Sequence, residues 1–102
     1  MELQYTKQAK QEFLRIVEIY GEFSGPISAN KFIEKVNSIN RMLIKHPYIG
    51  HPEELLANRK YPYRSKSITK FYRMIYYQNG DTIWVVDFWD SRRDPAKLAL
   101  RL

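Results

Sequence analysis

Between Tyr61 and Asp90 the chain carries its densest supply of Tyr, Phe, Ile, Val and Trp, interrupted by Asn79-Gly80. Aromatic and β-branched residues suit pleated strands, and Asn-Gly supplies the positive φ angles that a tight hairpin turn demands. Tyr61 to Ile68, Thr69 to Gln78 and Thr82 to Asp90 are therefore predicted as an antiparallel three-stranded meander. A three-residue loop, Gln78-Asn79-Gly80, is the expected connection, because it places Tyr72, Met74 and Tyr76 on one apolar face with Trp84, Val86 and Phe88. A two-residue loop would reverse the pairing and bury Arg73 beside Trp84, and an unpaired buried guanidinium is costly. The other face then holds Arg73, Ile75, Tyr77, Val85, Asp87 and Trp89, with Phe71 and Ile83, a mixed surface suited to binding.

Helical periodicity dominates the first half. Glu2 to Tyr5 reads as a short extended lead-in, and Thr6 can cap a helix with Ala9, Phe13, Ile16, Tyr20 and Phe23 on one stripe. Ser24-Gly25-Pro26 breaks it, and Ala29, Phe32, Ile33, Val36, Ile39 and Leu43 form a second stripe that His46-Pro47 ends. So short a break makes the pair an antiparallel αα-hairpin with its apolar stripes against the sheet. Tyr48 to Lys60 is loop-like, with a helical turn available over Glu53 to Ala57, and Asp94-Pro95 starts a short helix over Ala96 to Leu102. The fold class expected is α+β: an antiparallel sheet, made of a short N-terminal strand plus the C-terminal meander, packed on one face by the αα-hairpin. One domain over residues 1–102 is expected, since this length encloses a single core.

No apolar run approaches the roughly 18–20 residues needed to span a bilayer, and Met1 to Tyr5 lacks the layout of a signal peptide, so the cytoplasm is the expected location. There is no cysteine, which excludes disulfides, thiolate nucleophiles and cysteine-bound zinc. The net charge of +6 is concentrated: residues 1–54 hold seven Lys/Arg and seven Glu, and residues 81–102 hold four Lys/Arg and four Asp. Arg59, Lys60, Arg64, Lys66, Lys70 and Arg73 carry the whole excess, interleaved with six aromatic residues. Such a field attracts phosphate backbones or acidic proteins, and the same pattern also arises as a solvated strand surface over core tyrosines.

The order strand, two helices, three strands, with Tyr72-Arg73-Met74-Ile75-Tyr76 on one strand and Ser91-Arg92-Arg93-Asp94-Pro95 after the next, resembles the RelE/ParE toxin superfamily. Tyr5 to Ala9, Pro47 to Gly50 and Tyr63-Arg64 extend the likeness over nearly the whole chain. The resemblance implies the toxin of a type II toxin–antitoxin system, silenced by a cognate antitoxin that often presents an acidic segment. RelE-like members cut messenger RNA in the ribosomal A site without a metal, whereas ParE-like members inhibit DNA gyrase. The expectation is therefore a toxin acting by ribosome-dependent mRNA cleavage, with gyrase inhibition as the alternative and a binding module that keeps only the antitoxin interface as a third.

Metal-free RNA cleavage needs a base for the 2′-hydroxyl, stabilisation of the charge on phosphorus, and an acid for the leaving oxygen. The resemblance puts Arg73, Arg92 and Arg93 at the transition state, and Arg64 and Lys66, two apart on one strand, at the phosphate grip, with Lys70 beside them. Arg73 also has a structural reading, a cross-strand ion pair with Asp87. RelE-like enzymes carry a late Tyr or His that moves protons, and no Tyr or His follows Tyr77 here. Tyr77 shares the face of Arg73, but a phenol with a pKa near 10 is a poor base. Trp89, on the predicted open face, stacks on a base or packs under an antitoxin. His46 and His51 form no recognisable metal site, and Asp94 and Asp87 are accounted for as cap and arginine partner, so no metal or cofactor is expected.

Overall fold

A computed structural model describes all 102 residues. In chain order they form β1 (Glu2–Tyr5), α1 (Lys7–Lys45), β2 (His51–Pro52), a 3-10 turn (Glu54–Leu56), β3 (Arg64–Ser67), β4 (Tyr72–Asn79), β5 (Thr82–Asp90) and α2 (Pro95–Arg101). No helix is long and apolar enough to cross a membrane.

Helix α1 is the expected αα-hairpin with the break reduced to one residue. The Thr6 hydroxyl accepts the Ala9 amide at 3.2 Å and starts the first arm. At Gly25 the backbone turns to φ 86°, ψ 172°, a region open essentially to glycine, and Pro26 opens the second arm, where its missing N–H costs nothing. The arms fold back antiparallel: Phe13 and Tyr20 both meet Phe32, with ring centroids 6.1 and 5.2 Å apart, and the Asn40 amide donates to the Tyr5 hydroxyl at 3.0 Å. The first arm's stripe is shorter than its periodicity suggests, since Phe23, beside the break, is 82% exposed.

The sheet has five strands in the order β1-β5-β4-β3-β2, and it is mixed. The meander β3-β4-β5 is antiparallel as expected, but β1 runs parallel to β5, with Leu3 opposite Ile83 and Tyr5 opposite Val85. No tight turn joins β1 to a neighbour, so local sequence leaves its direction open and tertiary packing sets it. At the other edge His51–Pro52 adds a short fifth strand against Arg64 and Ser65.

The β4-β5 hairpin departs from the expected register. Asn79 pairs with Thr82, so the turn is the two residues Gly80-Asp81, with Gly80 at φ 61°. Tyr76 lies opposite Val85 while Ile75 lies opposite Asp87, which makes Val86 the extra residue of a β-bulge. The bulge switches parity halfway along β5. Ile83 and Val85 join Tyr72, Met74, Tyr76 and Phe88 on the helix side, and Trp84 and Val86 go to the other face, the reverse of their expected assignment. Arg73 escapes burial beside Trp84 because it sits past the bulge, opposite Trp89.

The face expected to be open for binding is a second core. Leu56 from the 3-10 turn and Leu98 from α2 close over Ile75, Val86 and Trp89, all 4% exposed or less. Helix α2 starts as predicted: the Asp94 carboxylate accepts the Ala96 amide at 3.1 Å, with Pro95 in the first turn. It is pinned by Arg101, whose Nε and Nη2 donate to the fully buried Asp87 carboxylate at 2.7 and 2.9 Å.

Candidate functional site

The sheet register decides which basic side chains can act together. Arg64 and Lys66 lie opposite Tyr76 and Met74, so both project to the helix side of the sheet. Arg73 lies opposite Ser67 and projects the other way. The arginine expected at the transition state and the pair expected to grip phosphate therefore occupy opposite faces.

Arg64 belongs to a rigid corner. Its Nη1 donates to the Gly50 carbonyl at 2.7 Å, and its guanidinium lies 5.1 Å from the centre of the Tyr48 ring. The corner is held by Tyr76, fully buried, whose hydroxyl donates to the Pro47 carbonyl and accepts the Gly50 amide, each at 2.9 Å. Burial pushes the Tyr76 phenol up, so it stays neutral and can do both. Glycine is required at position 50, because a Cβ there would come within 2.6 Å of the Ser65 carbonyl oxygen. Pro47, Tyr48, Pro62, Arg64 and Gln78 line a cleft of about 360 Å³.

Arg73 is tied into the chain by three hydrogen bonds. Nε and Nη2 donate to the Glu53 carboxylate at 2.9 and 3.3 Å, and Nη1 donates to the Ser91 hydroxyl at 2.8 Å. Glu53 is only 7% exposed. The partner is thus Glu53 and not Asp87, which faces Ile75 and belongs to Arg101. Sequence offered no signal for this pairing, since Glu53 lies in the loop before β3, 20 residues away.

The remaining predicted residues also have internal partners. Tyr77 stacks on Tyr61, centroids 4.1 Å apart and planes within 9°, with Tyr63 edge-on at 5.4 Å. Desolvation raises its pKa, the opposite of what a general base requires. Trp89 is 1% exposed, which corrects its expected place on an open face, and Arg93 lies over its ring at 4.7 Å. Lys70 is exposed, with its ammonium 5.5 Å from the Phe71 ring. Arg92 is gripped by the Asp90 carboxylate at 2.9 and 2.8 Å and covers Phe71 at 4.2 Å. That hydrogen-bonded guanidinium holds the Asp90 carboxyl below its usual value.

Arg92 and Arg93 open onto a cleft of about 500 Å³ between the first arm of α1, the ends of β4 and β5, and α2. Arg15 and Arg101 complete a set of four arginines there, with Glu12 and Asp90 among them. Arg15 and Arg101 were not legible as site residues, because only the tertiary fold brings residues 15 and 101 to the same place. No three His, Cys, Asp or Glu side chains gather in a metal-binding cluster.

A family model described as the ParE toxin of type II toxin–antitoxin systems, parDE, matches residues 3–95. Among curated protein sequences none matches. The fold is similar to the toxin–antitoxin structure titled chromosomal ParDE system from P. aeruginosa, with a TM-score of 0.70, 16% identity, and 88% of this chain and 95% of that one covered. It is also similar to a YoeB/ParE toxin from Agrobacterium tumefaciens, at 0.62 and 22% identity over 88% and 98% of the two chains. The YoeB dimer from Staphylococcus aureus gives 0.61 and 18% identity over 87% and 94%.

Proposed function

The chain belongs to the ParE toxin family of type II toxin–antitoxin systems, and we propose that it poisons its target by binding rather than by cutting RNA, with DNA gyrase as that target. A cognate antitoxin is implied by the family, and the action is assigned to the cytoplasm. One observation carries the non-catalytic reading: the basic residues do not converge on a single phosphate. Arg73 spends three of its five guanidinium N–H groups on Glu53 and Ser91, while Arg64 and Lys66 emerge on the opposite face of the sheet. Transition-state stabilisation needs donors already aimed at one developing charge, and proton transfer needs a group with a pKa near the operating pH. Tyr77, the last tyrosine in the chain, is stacked and shifted upward. Gyrase enters through the family resemblance.

The test uses the purified toxin in two reactions. Added to DNA gyrase and relaxed plasmid, it is expected to suppress supercoiling. Added to a cell-free translation reaction, it is expected to leave ribosome-bound mRNA uncut. Cleavage in the A site, abolished in a folded Arg73→Ala protein, would return the chain to the ribonuclease reading, for which Arg92 and Arg93 at an open cleft would be the remaining support.

A further inference from the structure

The helix side of the sheet carries a separate set of charges. The second arm of α1 runs alongside β4: the Phe32 ring meets Tyr72 with centroids 5.9 Å apart, and past the end of the arm the Tyr76 hydroxyl donates to the Pro47 carbonyl at 2.9 Å. Strand β3 lies beyond β4 and antiparallel to it, with Ser67 beside Arg73 and Arg64 beside Tyr76. A lane is thus left between the second arm and β3, with a cleft at each end. At one end Ser28, Lys31, Lys35 and Thr69 line a hollow of about 190 Å³. At the other, Tyr48 and Arg64 line the cleft of about 360 Å³. Lys66, on the helix side of β3, stands between the two.

Lys31, Lys35, Lys66 and Arg64 form no ion pair, and no Asp or Glu lines either cleft. Glu34 is turned by about 100° around the helix from Lys35. Lys31 and Lys35 are about 6 Å apart along the helix axis, and Arg64 and Lys66 about 6.6 Å apart along the strand. Those steps suit successive phosphates of an extended strand. Beside Arg64, whose guanidinium is 5.1 Å from its ring centre, Tyr48 remains 70% exposed. A cationic groove that ends in an open aromatic ring is how sequence-tolerant proteins hold a single strand, with phosphates on the cations and a base on the ring.

We propose that the Lys31–Lys35–Lys66–Arg64 lane, with Tyr48 at its end, binds the phosphodiester backbone of a single-stranded nucleic acid. An acidic protein fits less well. Lysine is depleted from the cores of protein interfaces, and the apolar side chains at the Lys31 end, Tyr20 and Phe32, are already engaged with Tyr72. The lane is on the other side of the sheet from Arg73, so it holds a strand without the arrangement that cleaving one would need. The proposal is independent of gyrase as the target.

The test follows the anisotropy of a labelled oligothymidylate of about 16 nucleotides as purified toxin is added over a range of salt. Four phosphates at about 0.7 each give a log–log salt slope of roughly −3. Lys31→Ala combined with Lys35→Ala, both at exposed positions, is expected to bring the slope to roughly −1.5 and to weaken binding by about ten-fold or more. Lys10→Ala combined with Lys97→Ala removes the same charge elsewhere on the surface and is expected to leave binding within about two-fold. Tyr48→Ala should weaken binding of the single strand by about five-fold or more and leave binding of a duplex of the same length unchanged. An oligouridylate of equal length is the RNA arm, and the tighter of the two single strands names the natural source. Equal losses in the two double variants would reduce the effect to net charge and overturn the proposal. Absence of binding, or an unchanged single-strand affinity in Tyr48→Ala, overturns it too. So does tighter binding of polyglutamate through Lys31 and Lys35, which would give the lane to an acidic protein. The reaction contains no gyrase, so none of these results bears on gyrase as the target.

Discussion

Arg101→Met removes the counter-ion of Asp87 while keeping an unbranched stem of similar length, and its cost follows from how Asp87 is buried. The carboxylate is fully inaccessible, and besides Arg101 it has one donor, the Phe88 amide at 2.9 Å. Breaking a buried ion pair from one side costs about 3–5 kcal/mol. Arg101 is a quarter exposed, so water reaches the vacated position and the lower end, about 3 kcal/mol, applies here. For a domain of this size that corresponds to a fall in Tm of roughly 12–24 °C.

The assay is a double-mutant cycle by thermal and urea unfolding with Asp87→Asn, which removes the charge that Arg101 neutralises. Once the charge is gone, Arg101→Met should cost much less, giving a coupling of at least about 1 kcal/mol. Hydrogen exchange should show α2 opening first in Arg101→Met, since Leu98 and the Arg101 bridge are what anchor it. A single variant that melts within about 2 °C of the parent, with no coupling, would refute the argument that this pair holds α2 over the second core.

Three further outcomes follow from the site geometry. Gly50→Ala should destabilise by about 1–3 kcal/mol in urea unfolding, because the new methyl meets the Ser65 backbone oxygen on β3 and the buried Tyr76 hydroxyl. In an NMR titration Asp90 should ionise below the usual aspartate range and return toward it in Arg92→Gln. Its folded pKa is lowered, so its contribution to stability is present above the unfolded value and lost as pH falls through the folded one. Arg73→Ala combined with Glu53→Gln, which leaves no stranded buried carboxylate, should fold and stay toxic in a growth assay, whereas loss of toxicity in the folded double variant would favour a catalytic Arg73.

Where a residue's own neighbours dictate its structure, the sequence was readable. Thr6, Gly25-Pro26 and Asp94-Pro95 act through backbone chemistry within a few residues, and both helices begin and break where those residues stand. The meander was readable for the same reason, but not its register. A bulge at Val86 adds one residue to β5 without any Gly or Pro to announce it, and that single residue exchanges the faces of Ile83 and Val85 with those of Trp84 and Val86. Nor does a four-residue strand such as β1 carry information about its direction.

The site illustrates the difference most sharply. Six basic residues without an acid between Leu55 and Gly80 look like one patch, because sequence order hides both the pleat and the partners. Arg64 and Arg73 are separated by the pleat, and Glu53, just outside the basic stretch, returns to neutralise Arg73 across 20 residues. Arg92 and Arg93 are joined in one cleft, where Glu12, Asp90 and Asp87 pair with three of the four arginines, by Arg15 from the first helix and Arg101 from the last. Both of these come from segments whose charges balance along the chain. Local net charge therefore does not tell how much of each arginine is free: that depends on the internal acceptors the fold supplies, and for Arg73 and Arg101 those come from residues distant in sequence.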